Sequence, residues 1–252
     1  MTLGQELAPH LPFLRRYARA LTGAQNEGDA LVRATLEALV AEPQAFPRDI
    51  DPRLGFYAAF HRQWNAAQEA EGGQGRLSRM TPRSRQALLL TEMEGFTPED
   101  AGYLMGCDRR TVEQLAGEAL TEIEHQPRTD VLIIEDEPMI AMDIEALVRD
   151  LGHDVSGIAV THVEAVNSAR ARRPGLVLAD VQLADDSSGL EAVQEILGEF
   201  AVPVIFITAF PERLLTGERP EPTYLVTKPF REASVRAAIS QALFFDGRET
   251  AG

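Results

Sequence analysis

Apolar residues recur at three- and four-residue intervals along most of the first half of the chain. The pattern runs through residues 11–21, 27–40 and 52–70, and each stretch places its apolar residues on one face of a helix. This half does not show the two-residue alternation that is typical of a half-buried strand. The first half is therefore predicted to be helical.

Residues 77–124 continue the helical pattern with two interruptions. Thr97, followed by a proline and two acidic residues, is a typical helix start, because threonine caps unpaired amide groups and proline fits the first turn. A short turn around Gly106 then leads into a predicted helix over residues 111–124. This order of helix, tight turn and helix predicts a helix-turn-helix.

Near residue 127 the pattern changes to short apolar runs that alternate with helical stretches. The predicted strands are 131–136, 153–160, 176–181, 203–210 and 223–230, and the predicted helices between and after them are 138–151, 162–173, 188–200 and 231–244. Strands that alternate with helices indicate a parallel sheet covered on both faces. The predicted fold is therefore two-domain, with an all-α domain over residues 1–127 and an α/β doubly wound domain over residues 128–252.

The composition is that of an ordinary globular protein. The 252 residues are 44% hydrophobic and 25% charged, which is not typical of disordered chains. No apolar run approaches the roughly 18 residues of a membrane span, and the N-terminus lacks the pattern of a secretory signal. With Cys107 as its one cysteine, the chain cannot form an internal disulfide. We therefore expect a cytoplasmic protein without a membrane partner.

Charge argues against a nucleic-acid partner. The net charge is −15, and residues 1–127 carry 13 basic against 18 acidic residues while residues 128–252 carry 11 against 21. The predicted recognition helix and its lead-in, residues 109–124, hold two arginines and four glutamates. Affinity for phosphate backbones comes mainly from Lys and Arg, so we expect no direct DNA binding.

Charged residues collect at the ends of the predicted strands. Glu135 and Asp136 end the first strand, Asp180 lies near the end of the third, Thr208 near the end of the fourth, and Lys228 near the end of the fifth. Ligands of open parallel sheets bind at the carboxyl ends of the strands. Three converging carboxylates repel one another unless a cation joins them, and Mg²⁺ prefers such oxygen ligands. The one lysine of the chain and a hydroxyl beside a metal suit a phosphoryl group.

These residues, on these strands, resemble the receiver domain of bacterial response regulators over about residues 130–246. The resemblance implies that Asp180 accepts a phosphoryl group from a histidine kinase or a phosphotransfer protein. The Mg²⁺ ligands that it implies are Glu135, Asp136, Asp180 and the backbone carbonyl of Gln182, and the residues that it places against the phosphoryl oxygens are Thr208 and Lys228.

Two features depart from the receiver pattern. Receivers commonly place a switching aromatic residue three positions before the lysine, where this chain has Leu225, with Tyr224 beside it. Residues 211–222 contain three prolines, so the helix after the fourth strand is predicted to be short or irregular. The surface that reports phosphorylation is therefore expected to work differently from that of other receivers.

The helical half resembles an extracytoplasmic-function sigma factor. Residues 77–125 resemble region 4 of that family, and residues 8–66, which contain FLRRYARALTG and EGDALVRATLEALV, resemble region 2. A sigma-like half joined to a receiver is similar to the PhyR-type general stress response regulators of alphaproteobacteria. That resemblance implies that the phosphorylated protein binds an anti-sigma factor of the NepR type and thereby frees a sigma factor.

Two other functions stay open. The helix-turn-helix could read promoter DNA once Asp180 is phosphorylated, although an acidic recognition helix opposes this. An enzyme regulated by a receiver is a third class, but the first half shows no phosphate loop and no metal-ligand spacing around His10, His61 or His125. We therefore expect a phosphorylation-gated binding module, with no enzymatic activity beyond intrinsic self-phosphorylation and dephosphorylation.

Overall fold

The computed structural model describes residues 2–70, 83–123, 127–183, 187–211, 214, 222 and 224–249. The chain forms two compact units that divide between Leu120 and Thr121. The predicted fold class is confirmed, because the first unit is helical and the second is built on a five-stranded parallel sheet. Residues 71–76 of the glycine-rich stretch lie outside the described part of the chain.

The helices of the first part of the chain follow the apolar periodicity of the sequence. They are α1 (Leu3–Leu7), α2 (Leu11–Thr22), α3 (Gln25–Ala41), α4 (Pro52–Ala70), α5 (Arg83–Leu88), α6 (Pro98–Met105) and α7 (Arg109–Ile123). Short 3₁₀ turns cover Ala8–His10 and Pro43–Ala45, and a π-helical turn over Leu89–Met93 continues α5.

Local capping sets the limits of the helix-turn-helix formed by α6 and α7. Thr97 Oγ1 accepts a backbone N–H of the first turn of α6 at 3.1 Å. Gly106 ends α6 with a φ of 65°, a left-handed conformation that glycine adopts without strain. The Asp108 carboxylate accepts the N–H of Thr111 at 2.8 Å, so α7 begins at Arg109, slightly before the predicted start.

An aromatic cluster between α2 and α4 forms the core of the helical unit. The ring of Tyr17 lies 5.4 Å from that of Tyr57 and 5.8 Å from that of Phe60, measured between centroids. All three side chains are buried, and so is Trp64 on the next turn of α4. Tilted and edge-on contacts between rings add to the free energy gained from apolar burial.

His61 is a buried imidazole within this cluster. Its Nε2 lies 3.0 Å from the hydroxyl of Tyr17. Burial lowers the pKa of His61 from 6.5 to about 4, because a charged imidazolium is poorly solvated there. The side chain is therefore neutral near pH 7 and packs as part of the core.

Acidification is expected to destabilise the helical unit through His61. Since its pKa of about 4 in the folded chain lies below the unfolded value of 6.5, the unfolded chain takes up the proton first as the pH falls. The stability from neutral His61 is present above pH 6.5 and is lost as the pH falls towards 4. The loss amounts to about 3 kcal/mol, measurable by urea unfolding with the fluorescence of Trp64 as the signal.

His61→Gln provides the control for this prediction, because glutamine retains a polar group beside Tyr17 but does not titrate. The free energy of unfolding of the wild-type chain should approach that of the variant as the pH falls. Two proteins with parallel pH dependence would contradict the assignment to His61.

The second unit is a parallel sheet with strand order β2-β1-β3-β4-β5. Its strands are β1 (Asp130–Ile134), β2 (Asp154–Ala159), β3 (Leu176–Ala179), β4 (Val204–Thr208) and β5 (Tyr224–Thr227), and its helices are α8 (Pro138–Asp150), α9 (His162–Ala171), α10 (Gly189–Glu199) and α11 (Glu232–Glu249). Each strand ends before its predicted limit, and the predicted residues beyond it lie in the loops at the carboxyl edge.

Helices cover both faces of this sheet, as the doubly wound prediction requires. α8 contacts α11, and α9 contacts α10. Strands β1, β3 and β4 are buried almost throughout, which explains their continuous apolar sequence. Because β1, β3 and β4 are neighbours, the residues that follow them meet at one edge of the sheet. Within the described residues, no helix has both the length and the hydropathy needed to cross a membrane.

Candidate functional site

The carboxyl edge of the sheet brings together the acidic residues predicted from the sequence. The N–H of Glu135 donates to the carbonyl of Ala159 at 2.9 Å, and the N–H of Asp180 donates to the carbonyl of Ile134 at 2.8 Å. These bonds continue the ladder past β1 and β3 and hold the first residues of both loops side by side. The carboxyl edge is therefore a fixed platform for these side chains.

Glu135, Asp136 and Asp180 form a cluster suited to a metal ion. Each offers a carboxylate oxygen, and the three oxygens lie within 4.8 Å of one another. Glu135 and Asp180 are buried, and Asp136 is half-buried. Oxygen ligands at this spacing, with an approach from solvent, suit a hard divalent cation that keeps part of its water shell.

Lys228 supplies the positive charge within the cluster. Its Nζ lies 2.7 Å from Asp180 Oδ2 and 2.8 Å from Glu135 Oε2, and its side chain is 9% exposed. Burial acts to lower the pKa of Lys228, but hydrogen bonds and attraction from Asp180 and Glu135 raise it above its ordinary value. Burial also raises the pKa of Glu135, against the opposing effect of Lys228. The ammonium group is therefore held in its charged form between the two carboxylates.

The loop after β3 fixes the direction of the Asp180 side chain. Asp180 Oδ1 accepts the N–H of Val181 at 2.5 Å and lies 3.5 Å from the nitrogen of Gln182. Gln182 also forms an isolated bridge with Ser188, and the N–H of Gly189 donates to the carbonyl of Val181 at 3.0 Å. Gln182 thus lies in the loop of the cluster, and its carbonyl stays a predicted metal ligand.

Thr208, the last residue of β4, is fully buried beside the cluster. Its hydroxyl accepts the N–H of Phe210 at 3.2 Å, and its carbonyl accepts the N–H of Lys228 at 2.8 Å. The second bond ties the end of β4 to the residue that follows β5. The predicted set of Glu135, Asp180, Thr208 and Lys228 is therefore carried by adjacent strand ends.

Sequence reasoning missed Glu137. Its carboxylate lies 3.7 Å from Lys228 Nζ, and its N–H donates to Glu135 Oε1 at 3.3 Å. The signal for this residue was the run of three acids that begins at Glu135. Glu137 is exposed, so it adds negative charge at the mouth of the cluster.

The structure describes the first of the two departures from the receiver pattern, at Leu225, but only a small part of the second. Leu225 is buried, at 1% exposure, and packs in the apolar core of the sheet with Phe206 and Leu214. Tyr224 is also buried, and its hydroxyl donates to the carbonyl of Gln241 at 3.4 Å. Of the proline-rich residues 211–222, on which the prediction of a short fourth helix falls, most lie outside the described residues.

Two polar side chains on the exposed face of the helix-turn-helix pair with neighbouring carboxylates. Arg109 at the start of α7 donates to Glu99 at 2.8 Å and to Glu113 at 2.7 Å. Further along the helix, Gln114 donates to Glu118 at 2.9 Å. The arginine and the glutamine that could contact DNA at these positions are thus bound by neighbouring carboxylates.

A doubly wound sheet with this acidic edge and a lysine after the last strand defines a response regulator receiver unit. Comparison with family models agrees. Residues 131–240 match the response regulator receiver domain, residues 7–61 match the Sigma2 domain of PhyR, and residues 77–126 match the sigma-like domain of the response regulator PhyR.

The chain belongs to the PhyR family of response regulators. It is 53% identical to the phyllosphere-induced regulator PhyR of Methylorubrum extorquens, over 97% of this chain and 96% of that protein. The crystal structure of PhyR from Brucella abortus is 50% identical, with a TM-score of 0.89 over 100% of this chain and 98% of that one. PhyR from Bartonella quintana, described as an anti-anti-sigma factor, is 52% identical, with a TM-score of 0.90 over 99% of each chain.

Gly189 is expected to be required for the geometry of Asp180. A methyl group at Gly189 would overlap the carbonyl oxygen of Asp180, so Gly189→Ala must displace the backbone of the acidic loop. We expect a destabilisation of about 1–3 kcal/mol. With Mn²⁺ as a probe in place of Mg²⁺, we also expect the metal affinity to fall about tenfold or more. Urea unfolding followed by circular dichroism and calorimetric titration with Mn²⁺ measure the two effects.

Gly198→Ala is the matched control, because it lies in the same helix, α10, and an added methyl group there meets no atom within 4 Å. That variant should bind Mn²⁺ as the wild-type chain does and should be equally or slightly more stable. Equal Mn²⁺ affinity in the Gly189 variant would show that Asp180 does not depend on this close approach.

Proposed function

We propose that this chain is a phosphorylation-controlled anti-anti-sigma factor of the general stress response. The observation that carries the proposal is the position of Lys228 Nζ, 2.7 Å from Asp180 and 2.8 Å from Glu135 at the acidic edge of a receiver unit. The chain joins this unit to a helical unit that matches the sigma-like domain of PhyR. An acceptor site and a sigma-like surface in one chain support a switch that controls binding.

Asp180 is the phosphoryl acceptor in this proposal. One of its carboxylate oxygens attacks the phosphorus of a phosphohistidine on a kinase or phosphotransfer protein. The new P–O bond forms as the P–N bond breaks, and the imidazole leaves. Asp180 suits this role because the N–H of Val181 holds one oxygen and Lys228 holds the other.

The surrounding residues neutralise the added charge. Glu135, Asp136, Asp180 and the carbonyl of Gln182 would hold Mg²⁺, which would supply positive charge against the phosphoryl oxygens. Lys228 exchanges Asp180 Oδ2 for a phosphoryl oxygen. Thr208 donates its hydroxyl hydrogen to another phosphoryl oxygen, while its oxygen can still accept the N–H of Phe210. Thr208 thereby connects the phosphoryl group to the loop that follows β4.

The chain is not an enzyme in this proposal, beyond gaining and losing its own phosphoryl group, and it acts in the cytoplasm. The cytoplasmic location is supported by its proposed partners, a kinase or phosphotransfer protein and an anti-sigma factor. Phosphorylation shifts the population of the chain towards a state that binds the anti-sigma factor, which takes on the order of 3 to 5 kcal/mol of differential stabilisation.

Asp180→Ala is expected to abolish phosphorylation by acetyl phosphate in the presence of Mg²⁺, because the attacking oxygen is lost. Intact-mass spectrometry measures the added group. Asp143→Ala removes an exposed carboxylate of α8 and should leave the yield unchanged. Phosphorylation that persists in the Asp180 variant would assign the acceptor to another residue.

The partner in this proposal is an anti-sigma factor of the NepR type, bound through the sigma-like helices. The Bartonella quintana relative, described as an anti-anti-sigma factor, supports this, since it is similar over 99% of this chain. Promoter binding is the alternative. The pairing of Arg109 with Glu99 and Glu113, and a net charge of −15, oppose it at physiological salt.

Activation is expected to create affinity for the anti-sigma factor. Beryllofluoride with Mg²⁺ stands in for the phosphoryl group on Asp180, so the treated wild-type chain should bind a purified NepR-type protein while the untreated chain and the Asp180→Ala variant should not. Isothermal titration calorimetry measures this at ~150 mM salt. Activation-dependent retention of promoter DNA in a gel shift, without binding of the anti-sigma factor, would favour the alternative.

A further inference from the structure

Glu94 is a buried carboxylate whose two oxygens are both occupied by donors from other helices. Oε1 accepts two hydrogen bonds from Arg16, at 2.7 Å from Nη2 and 3.2 Å from Nε. Oε2 accepts the hydroxyl of Tyr57 at 2.7 Å and lies 3.4 Å from Nη2 of Arg53. The Glu94 side chain has no exposed surface, so these groups replace its hydration entirely.

Arg16 stays charged and Tyr57 stays protonated, as their hydrogen bonds to Glu94 require. Burial acts to lower the pKa of Arg16, but attraction to Glu94 raises it above its ordinary value. Burial and the charge of Glu94 raise the pKa of Tyr57 well above 10, so the phenol stays protonated and donates. The cluster is therefore a set of charge-assisted hydrogen bonds, which are stronger than neutral ones.

The cluster joins the two sigma-like regions of the chain. Arg16 lies on α2 and Arg53 and Tyr57 lie on α4, within the match to the Sigma2 domain, residues 7–61. Glu94 lies within the match to the second sigma-like domain, residues 77–126. Both regions belong to the same compact unit, so these bonds act across the junction between them.

The backbone directly before Glu94 forms a π-helical turn instead of a regular α-helical one. The N–H of Glu94 donates to the carbonyl of Leu89 at 3.0 Å, the five-residue step of the π-helical turn Leu89–Met93. Such turns are rare and occur often at functional sites, because they redirect a side chain. The chain then places Phe96 under the guanidinium of Arg53, 4.2 Å from the ring centroid. Two successive contacts thus bind the turn to α4.

Burying charged groups between helices is costly for stability, because the charges lose their hydration. Apolar residues of similar volume often stabilise a protein as well or better, whereas charged networks restrict the partners to one geometry. The Glu94 cluster satisfies both oxygens from two different helices, so a shift of either helix would leave a buried charge without its partner. The arrangement favours a single relative position of the two regions.

We propose that Glu94 is a positioning residue that fixes the second sigma-like region against the first, so that the anti-sigma factor meets one preformed surface. The inference rests on the proposed function and adds how affinity is obtained. A surface that is already ordered loses little conformational entropy when the partner binds. Two independently mobile regions would have to be ordered by the partner itself.

Glu94→Gln tests the inference, because it keeps the size of the side chain and removes its charge. In the full-length chain activated with beryllofluoride and Mg²⁺, we expect affinity for the anti-sigma factor to fall about tenfold or more. Tyr57→Phe removes one donor and keeps both arginines, and it should give a smaller loss. Glu6→Gln is the control, since Glu6 pairs with exposed Arg48 at 3.2 Å, which is not a donor to Glu94, and should bind as the wild-type chain does.

A distance measurement separates positioning from simple loss of stability. Spin labels at Val40→Cys and Tyr103→Cys, in a Cys107→Ser background, lie on α3 and α6 at positions that are 80% and 54% exposed. Double electron–electron resonance should give a narrow distribution for the wild-type chain and a broad one for Glu94→Gln. Trp64 fluorescence should stay unchanged in that variant, because its first region remains folded.

The outcomes distinguish this inference from the proposed function. An unchanged distance distribution, or a broadened one with wild-type affinity, would overturn the role of Glu94 while the activated wild-type chain still binds. An unfolded Glu94 variant leaves the decision to Tyr57→Phe, which must then broaden the distribution and weaken binding. An activated wild-type chain that does not bind the anti-sigma factor would overturn the proposed function itself.

Discussion

Repulsion among carboxylates at the end of a parallel sheet is the constraint on which the receiver unit depends. Glu135, Asp136 and Asp180 bring oxygens within 4.8 Å of one another, an arrangement that is unfavourable unless positive charge lies between them. Lys228 supplies that charge and is buried to do so. The strand order and the ladder bonds that extend past β1 and β3 bring these acids together, and Lys228 offsets the repulsion between them.

The sequence was sufficient to predict this edge of the sheet because the pattern and the chemistry coincide there. Buried parallel strands are continuous apolar runs, so an acid directly after such a run marks a strand end, as at Glu135 and Asp180. The direction of hydrogen bonds was not predictable in this way. The bond from the N–H of Phe210 to Thr208 and the approach of Glu137 to Lys228 depend on loop conformation, which residue spacing does not determine.

In the helical unit, periodicity predicted the helices but not what joins them. Glu94 follows an apolar stretch and precedes a glycine, a context in which an acid is ordinarily taken to face solvent. The π-helical turn before it redirects the side chain inwards, and a pattern based on the regular helical period does not register such a turn. Arg16 and Tyr57 are 78 and 37 residues away from Glu94, so their convergence is a property of the tertiary structure.

The two buried charge clusters differ in whether their hydrogen bonds and ion pairs can be redistributed. Around Lys228, one ammonium group is shared between two carboxylates, so a phosphoryl group on Asp180 would change the charge of the cluster and redistribute its bonds. Around Glu94, each carboxylate oxygen already has its donors from within the helical unit. A cluster whose charges can be redistributed suits a switch. A cluster whose carboxylate oxygens are all hydrogen-bonded suits a fixed surface. These two kinds of pairing support the proposed division of the chain into a unit that changes charge and a unit that keeps its geometry.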